Sequence, residues 1–210
     1  MAGYQVKEIF LTLQGEGAQT GRTAVFCRFV GCNLWSGRPI DRSRAVCRFC
    51  DTDFHRPDGV LGGHYGSALT LSAAIASLWH GSERRYVVLT GGEPLLQLDR
   101  ALIDALHDEC FAVAVETNGT LPAPGGIDWL CVSPKGGAEL VQRHGDELKL
   151  VYPQAQAAPE DFADLAFSRF SLQPMDGPDR EANTKSAIAY CLLHPQWQLS
   201  VQIHKTIGIR

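Results

Sequence analysis

Short β-rich apolar runs recur along the whole chain and constrain its fold more than any other feature. Several of these runs are nearly continuous rather than alternating between apolar and polar positions, as at residues 86–90. Strands that are buried on both faces show this pattern, as in parallel sheets covered by helices. The predicted strands are residues 6–12, 24–30, 86–90, 111–116, 129–133, 148–151, 167–173 and 199–204.

Apolar residues at helical spacing lie between some of these runs. Gly81 follows the first stripe and is expected to end its helix. Each stripe places its apolar residues on one helix face. The stripes contain Leu71, Ala74, Ile75, Leu78 and Trp79; then Leu98, Leu102, Ala105 and Leu106; then Ala187, Ile188, Cys191 and Leu192.

Strands that alternate with helices predict an α/β fold with right-handed crossovers. The helices are too few for a complete eightfold barrel. We therefore predict a partial, open parallel β/α barrel with fewer helices than strands, formed by a single domain over residues 1–210. In such folds the ligand site lies at the carboxyl ends of the strands.

Charge and apolar content exclude several classes of protein. A formal net charge of −4 provides no overall basic field, so nucleic acid is not an expected partner. No apolar run approaches the roughly 20 residues that a membrane span needs, and residues 1–7 lack the pattern of a signal peptide. Lone cysteines then indicate the reducing cytoplasm. Cysteines that stand alone in apolar segments are expected to be buried as small apolar residues, and they are Cys27, Cys110, Cys131 and Cys191.

Three further cysteines have a spacing that indicates metal chemistry. Fourteen residues separate Cys32 from Cys47, and Cys50 follows as the end of a Cys-x-x-Cys pair. Three thiolates can ligate three irons of a four-iron cluster and leave the fourth iron open to a small molecule. A structural zinc site with His55 as fourth ligand is the alternative, although a second Cys-x-x-Cys pair is absent from the sequence. Residues 31–55 form the predicted cluster-binding loop.

A second motif follows the predicted strand at residues 86–90, where the chain continues as Gly91, Gly92, Glu93 and Pro94. Two glycines at a strand end allow the backbone to approach a ligand closely. Their N–H and C=O groups can bind the amino end of an amino-acid-like ligand, while Glu93 orients the turn and Pro94 stops the strand. An ordinary Gly-Gly turn is the alternative for this motif taken alone.

With these motifs the chain resembles the radical S-adenosylmethionine (SAM) superfamily. Its long first cysteine gap departs from the usual Cys-x3-Cys-x2-Cys spacing and resembles one family, 7-carboxy-7-deazaguanine synthase. The resemblance covers most of the chain. The further segments that carry it are residues 13–17, Arg28, residues 50–52, residues 116–119, residues 133–135 and residues 173–176.

The resemblance implies an enzyme that contracts the ring of 6-carboxy-5,6,7,8-tetrahydropterin to 7-carboxy-7-deazaguanine and releases ammonia. A 5′-deoxyadenosyl radical takes a hydrogen atom from C6 of the pterin and later regains it, so that SAM acts catalytically. The implied cofactors are a 4Fe-4S cluster, SAM and Mg2+, in queuosine or deazapurine biosynthesis.

The resemblance also assigns residues to the cofactors. Cys32, Cys47 and Cys50 ligate the cluster iron, and Thr52 ligates Mg2+, which favours oxygen ligands; a capping threonine is the alternative. For Phe49 the alternative to a SAM contact is a place in the apolar core. For Glu116 the alternative is an acidic residue in a solvent-exposed turn. The implied SAM-binding residues are Phe49, Cys50, Asp51, Gly91, Gly92, Glu93, Glu116, Ser133, Pro134, Lys135, Gln173, Pro174, Met175 and Asp176.

Substrate recognition is expected from a loop after the first strand and from inward-facing polar residues. A carboxylate such as Glu16 can accept from the N–H edge of a pterin. Arg28 alternates with apolar neighbours on its strand and suits a substrate carboxylate; a surface arginine is the alternative. His204 is expected on one face of the last strand with Gln202, where a structural role is also open. The implied substrate-binding residues are Leu13, Gln14, Gly15, Glu16, Arg28, Thr90, His204 and Arg210.

Partners beyond the pterin are also expected. Four arginines against one acid make residues 38–48 a local basic patch, and we interpret it as a docking surface for an acidic electron donor such as flavodoxin. The family resemblance implies a homodimer. Two other functions stay open from the sequence, namely a glycyl-radical-enzyme activase and a non-catalytic zinc module.

Overall fold

The computed structural model describes residues 3–81 and 83–210. Met1 and Ala2, which belong to the segment where we expect no signal peptide, lie outside the described residues. Nine strands of the described part form one sheet in the order β3-β1-β2-β4-β5-β6-β7-β8-β9. They are β1 (Tyr4–Leu13), β2 (Thr23–Phe29), β3 (Gly63–Tyr65), β4 (Tyr86–Gly91), β5 (Ala112–Thr117), β6 (Trp129–Val132), β7 (His144–Tyr152), β8 (Ala166–Pro174) and β9 (Trp197–Leu199).

The sheet is open and mixed. From β2 to β9 neighbouring strands are parallel, while β1 pairs antiparallel with both β2 and β3. The predicted open α/β architecture is confirmed, but the antiparallel edge was not predicted. It follows from the link between β1 and β2, which is too short for the crossover that parallel neighbours require.

The described part has four α-helices, fewer than its strands, as predicted. Asp99 caps the N-terminus of the second helix, where its carboxylate accepts from the Leu102 N–H at 3.0 Å. A capping box of Ser67 and Thr70 starts the first helix. The helices are α1 (Ala68–Ala76), α2 (Arg100–Asp108), α3 (Arg180–Leu193) and α4 (Ile203–Ile207).

The end of α1 differs from the prediction. The helix ends at Ala76, so Leu78, Trp79 and the expected stop at Gly81 lie beyond it. The Ser77 hydroxyl donates to the Ala74 carbonyl at 2.7 Å, and the next N–H groups bond to carbonyls three residues earlier. These bonds tighten the last turn, and the two apolar side chains still pack against the core.

Apolar clusters cover both faces of the central strands. Alternate residues point to opposite faces, so Val87 and Leu89 pack in the cluster that includes α1 and α2, whereas Val88 packs in a separate cluster with Phe26. This burial on two sides accounts for the nearly continuous apolar runs in the sequence. No described helix has the length and apolar content that a membrane crossing requires.

The prediction of a strand at residues 199–204 is wrong. The strand β9 ends at Leu199, and Ile203 begins α4. After Ser200 the chain leaves the sheet, and the Ile203 N–H donates to the carbonyl of Gly15 at 2.9 Å. His204 therefore reaches the site from a helix and not from a strand face.

The lone cysteines divide into two groups. Cys27 and Cys131 are buried as predicted, whereas Cys191 is half-buried and Cys110 is exposed. Cys110 has a φ of 61° in the turn that joins α2 to β5, so it belongs to the surface connection and not to the apolar strand that follows.

Candidate active site

A cavity of about 590 Å3 opens at the carboxyl ends of the parallel strands. The loops after these strands meet there because parallel strands end at the same edge of the sheet. Most of the predicted site residues line it. They are Leu13, Gln14, Gly15, Glu16, Arg28, Cys32, Cys47, Phe49, Cys50, Asp51, Thr52, Thr90, Gly91, Gly92, Glu116, Ser133, Lys135, Gln173, Pro174, Met175, Asp176, His204 and Arg210.

Two predicted site residues, Glu93 and Pro134, lie outside the cavity wall. Glu93 is fully buried, and its carboxylate accepts from the Thr117 hydroxyl and the Asn118 N–H, each at 2.7 Å. It therefore orients the turn after β4 against the end of β5, which corrects the prediction of direct cofactor contact. The Pro134 carbonyl accepts from the Gln154 amide at 3.1 Å, so it too acts from behind the wall.

Gly91 and Gly92 allow the turn after β4 to approach a neighbouring segment closely. A Cβ on Gly92 would lie 2.0 Å from the carbonyl oxygen of Gly31, and a Cβ on Gly91 would lie 2.4 Å from that of Phe29. Gly91 also has a φ of 136°, which favours glycine. The absence of side chains thus lets the end of β4 lie against the segment that leads into Cys32.

The three motif cysteines share the cavity wall. The Leu34 N–H donates to the Cys32 sulfur at 3.4 Å, and the Asn118 amide lies 4.0 Å from the same sulfur. In the described residues no three His, Cys, Asp or Glu side chains are grouped closely enough for a single metal ion. The donor set fits a four-iron cluster, because the three thiolates share one cavity wall and cysteine thiolates are the usual protein ligands of such clusters.

The cysteines differ in acidity. A hydrogen bond from the Cys47 thiol lowers the pKa of Cys50 to about 6, against the effect of burial. The same hydrogen bond, followed by burial, raises the pKa of Cys47. Burial raises the pKa of Cys32. The Lys135 ammonium lies near Cys47 and Cys50 and favours their thiolates, which are the metal-binding form.

The loop after β1 carries Gln14 and Glu16, and side chains of β7 and of the segment after β9 hold it by hydrogen bonds. The buried Glu147 carboxylate accepts from the Ala18 N–H at 3.0 Å and from the Ser171 hydroxyl at 2.6 Å. The Gly17 N–H donates to the Ser200 hydroxyl at 2.8 Å. These bonds fix the short 3-10 helix that directly follows Glu16.

A buried ionic group lies beneath this loop. The Lys149 ammonium, from β7, lies 2.7 Å from a Glu16 oxygen and 3.4 Å from a Glu116 oxygen. The Gln14 amide and the Thr90 hydroxyl donate to Glu116 at 3.0 and 3.2 Å. Residues predicted as substrate-binding and as cofactor-binding thus form one hydrogen-bonded network.

Arg28 faces an anion of the chain itself. Its Nε lies 3.1 Å from a Glu8 oxygen, and the second Glu8 oxygen pairs with the Arg210 guanidinium. The Arg210 guanidinium also lies 4.8 Å from the centre of the Phe10 ring, and its carbonyl accepts from the Thr12 hydroxyl at 2.9 Å. Two arginines therefore share one buried carboxylate in the cavity wall.

The arginines of the cluster-binding loop are not equivalent. The Arg42 guanidinium donates to the carbonyls of Arg48 and Cys50 at 2.8 and 3.0 Å and stacks 4.0 Å from the Trp35 ring centre. Arg42 thus holds the loop together, whereas Arg44 is exposed. The docking role of the basic patch stays a prediction, and Arg44 is the arginine whose change would leave the loop contacts of Arg42 intact.

Helix α4 closes one side of the cavity. A Cβ on Gly15 would lie 2.2 Å from Nδ1 of His204, so this position needs glycine for the helix to approach. The Lys205 ammonium pairs with Asp51 of the cluster-binding loop and with Asp176 after β8. These pairs tie three separate segments at the cavity mouth.

The wall residues that sequence reasoning missed include Glu8, Lys149, Lys205, and Gln202 as a partner of Glu16. A signal for one of them was present. Lys149 lies between apolar residues in a run predicted to be a buried strand, and a buried lysine requires an anionic partner. Gln202 and Lys205 depend on the position of α4, which the local sequence did not predict, whereas Glu8 lies on β1 opposite Arg28 of β2.

The open sheet, the three cysteines at its carboxyl edge and the polar cavity beside them define a radical SAM enzyme. Curated relatives named 7-carboxy-7-deazaguanine synthase occur in Bradyrhizobium diazoefficiens, 69% identical with 99% of each chain covered, and in Caulobacter vibrioides, 64% identical with 98% of this chain and 99% of the relative covered. No protein-family model matches the chain.

A solved structure supports the same assignment. The crystal structure of QueE from Escherichia coli superposes with a TM-score of 0.69 at 26% identity and covers 96% of this chain and 95% of that one. The chain belongs to the 7-carboxy-7-deazaguanine synthase family. These likenesses do not favour a glycyl-radical-enzyme activase or a zinc module.

Proposed function

We propose that this chain contracts 6-carboxy-5,6,7,8-tetrahydropterin to 7-carboxy-7-deazaguanine with loss of ammonia, as a step of queuosine or deazapurine biosynthesis. One observation carries the proposal. The three motif cysteines line the same cavity as Glu16 and Arg28, so one space holds ligands for a cluster and groups for an anionic heterocycle. The names of the relatives agree with this reaction.

Cys32, Cys47 and Cys50 would hold a 4Fe-4S cluster within the single domain of residues 1–210, on the loop of residues 31–55. When bound, the reduced cluster and SAM supply the 5′-deoxyadenosyl radical. The residues proposed to position SAM include Glu116, which suits ribose hydroxyls, and Lys135, whose ammonium is held by the Ser133 carbonyl and hydroxyl at 2.6 Å. The others proposed are Phe49, Asp51, Gly91, Gly92, Ser133, Gln173, Pro174, Met175 and Asp176.

The pterin would lie between Glu16 and Arg28. The Glu16 carboxylate accepts from the N–H edge of the ring, and Arg28 binds the substrate carboxylate in competition with Glu8. Gln14, Thr90, His204 and the end of the chain at Arg210 would complete the contacts, with Leu13 and Gly15 shaping the wall. Ionised partners make such hydrogen bonds short and selective.

We also propose that Mg2+ binds beside the substrate at Thr52. Its position in the cavity wall supports this, because Mg2+ takes few protein ligands and keeps water and substrate oxygens. Neighbouring Asp53 is paired with Lys7, and the Thr52 hydroxyl offers the metal an oxygen of its own. Turnover with and without Mg2+ after chelation measures this dependence.

An acidic donor such as flavodoxin is the proposed reductant. The exposed Arg44 is the residue to test, because changing Arg42 would disturb the loop itself. We expect Arg44→Glu to slow reduction by flavodoxin and high salt to slow the wild type, since salt screens exposed charges. Arg169→Glu is the control, because Arg169 is exposed and lies in the first half of β8, outside the cluster-binding loop. Equal reduction rates for the wild type and Arg44→Glu, at low and at high salt, would reject the proposed docking site for the donor.

The proposed compartment is the cytoplasm, where thiolates stay reduced. A homodimer is the proposed assembly, and sedimentation velocity measures it.

The decisive experiment is anaerobic purification and reconstitution with iron and sulfide. The protein should turn brown and, with SAM, a reductant and carboxytetrahydropterin, should form a deazapurine that is identified by mass spectrometry. A colourless protein that contains zinc, or a brown protein that leaves the pterin unchanged, would reject the proposed reaction.

A further inference from the structure

Lys149 is a buried cation at the centre of the cavity floor to which the proposed reaction gives no role. It lies on β7 between Leu148 and Leu150, whose side chains pack in the core on the other face of the sheet. Only 5% of Lys149 is exposed, yet it lines the cavity. A lysine in such a place needs anionic partners.

Its partners come from two different binding regions. One is Glu16, on the loop after β1, and the other is Glu116, at the end of β5. The Gln202 amide donates to the second Glu16 oxygen at 2.8 Å. The Gln14 amide and the Thr90 hydroxyl each donate to Glu116. Each carboxylate oxygen therefore has a donor within the protein and keeps acceptor capacity for a ligand.

The charge balance makes this ammonium important. Two carboxylates share one cation, so its removal would leave two negative charges close together without a cation in direct contact. Burial alone would raise the pKa of Glu16, but Lys149 lowers it to about 2. Burial would lower the pKa of Lys149, but Glu116 and Glu16 hold it well above its usual value.

Other titratable groups face the same site. They are Cys131 on β6, Glu147 two residues before Lys149 on β7, Tyr86 on β4 and Lys135 after β6. Of these, only Lys135 is cationic, and it is held by Ser133. Lys149 is thus the cation in direct contact with both carboxylates.

We propose that Lys149 is a positioning residue that holds the pterin-binding and the ribose-binding carboxylates together, so that one side chain supports the binding of both substrate and SAM. The inference rests on the proposed function. It predicts that loss of Lys149 weakens the binding of both ligands. Loss of one carboxylate should weaken mainly the binding of the ligand that this carboxylate contacts.

The test uses the anaerobic, cluster-loaded protein without reductant. Equilibrium dialysis measures the Kd of SAM and of carboxytetrahydropterin from about pH 6 to about pH 8.5, a range in which an ordinary carboxyl stays ionised. The variants are Lys149→Met, Lys149→Arg, Glu16→Gln and Glu116→Gln, with the exposed Lys185→Met on α3 as the control. Iron content and thermal unfolding report the fold of each variant.

For Lys149→Met we expect both Kd values to rise at least about tenfold. The rise should be larger near pH 6, because the carboxylates then gain protons that Lys149 keeps away in the wild type. Lys149→Arg should restore the flat pH profile, and Lys185→Met should match the wild type. A purely structural lysine would lower thermal stability without this pH dependence.

Several results would overturn the inference. These are unchanged Kd values in Lys149→Met, weakening of one ligand alone, or a pH profile like that of the wild type. If Lys149→Met does not fold, Lys149→Gln takes its place with the same expected result. A wild type that binds both ligands but forms no deazapurine would reject the proposed reaction while leaving these binding results to be judged separately.

Discussion

At the scale of single residues, the site is a set of charges that are each held by a specific partner. Arg28 shows this most clearly, because its Nε lies 3.1 Å from a Glu8 oxygen. The Glu8 carboxylate keeps the Arg28 cation in place, and Arg210 is a second cation on the same carboxylate.

We expect Arg28→Met to raise the Kd of carboxytetrahydropterin about 10- to 100-fold, as for the loss of a charge-assisted hydrogen bond. Binding of a tetrahydropterin that lacks the 6-carboxylate should not change. Titration calorimetry under anaerobic conditions measures both. The exposed Arg143→Met is the control, and equal losses for both pterins would show that Arg28 does not bind the carboxylate.

Each motif cysteine should be indispensable. Cys47→Ser is expected to lose bound iron and all detectable deazapurine formation, because a serine hydroxyl is a poor iron ligand. Iron analysis and absorption spectra measure the first effect and product analysis the second. Cys110→Ser, at the exposed cysteine, should behave like the wild type. Full activity of Cys47→Ser would contradict the ligand assignment.

At the scale of elements, the site depends on how closely neighbouring loops approach. The turn after β4 contacts the segment before Cys32 through backbone atoms, and Glu93 binds the same turn to the end of β5. The position of Cys32 is therefore set by these two turns and not by its own loop alone.

We expect Gly92→Ala to lower the free energy of unfolding by about 1–3 kcal/mol, the usual cost of overpacking, and to lower iron incorporation. The added Cβ would meet the Gly31 carbonyl, which is backbone and has little room to move. Urea denaturation and iron analysis measure the effects. Gly66→Ala, where nothing lies within 4 Å, is the control, and identical behaviour of the two would contradict the close contact.

The sequence predicted the elements that local patterns specify. Strands β4 and β5 are buried on both faces, so their nearly continuous apolar runs were sufficient to predict them as strands. The end of α1 and the helix α4 were mispredicted, because hydrogen bonds of Ser77 and of Gly15 decide them. In the site, spacing predicts the cysteines and the glycine pair, and the family resemblance predicts most of the other residues, whereas Lys205 and Glu8 have partners distant in sequence and no local pattern.

At the scale of the whole molecule, ion pairs connect segments that lie far apart in the chain. The pKa values of Asp53 and Asp58 are lowered by hydrogen bonds from Lys7, and that of Asp176 by a hydrogen bond from Lys205. A carboxyl whose pKa is lowered by folding stabilises the folded state above its unfolded pKa and loses this effect as the pH falls through its folded pKa.

The free energy of unfolding should therefore fall as the pH drops from about 5 to about 2. Glu16, whose pKa falls from 4.5 to about 2, accounts for about 3 kcal/mol of this loss. Urea denaturation of the metal-free protein in a pH series measures it. Glu16→Gln should show a shallower decrease than the exposed control Glu181→Gln, and parallel curves would contradict the ionised, buried state of Glu16.

Contacts between segments that lie far apart in sequence also bear on the order of events during synthesis. Gln202 bonds to Glu16, and the Arg210 carbonyl accepts from Thr12, across 186 and 198 residues of sequence. A nascent chain lacks these contacts until residues 202–210 have left the ribosome. The motif cysteines emerge long before that, so we expect iron and sulfur to be inserted only after residues 202–210 have joined the fold.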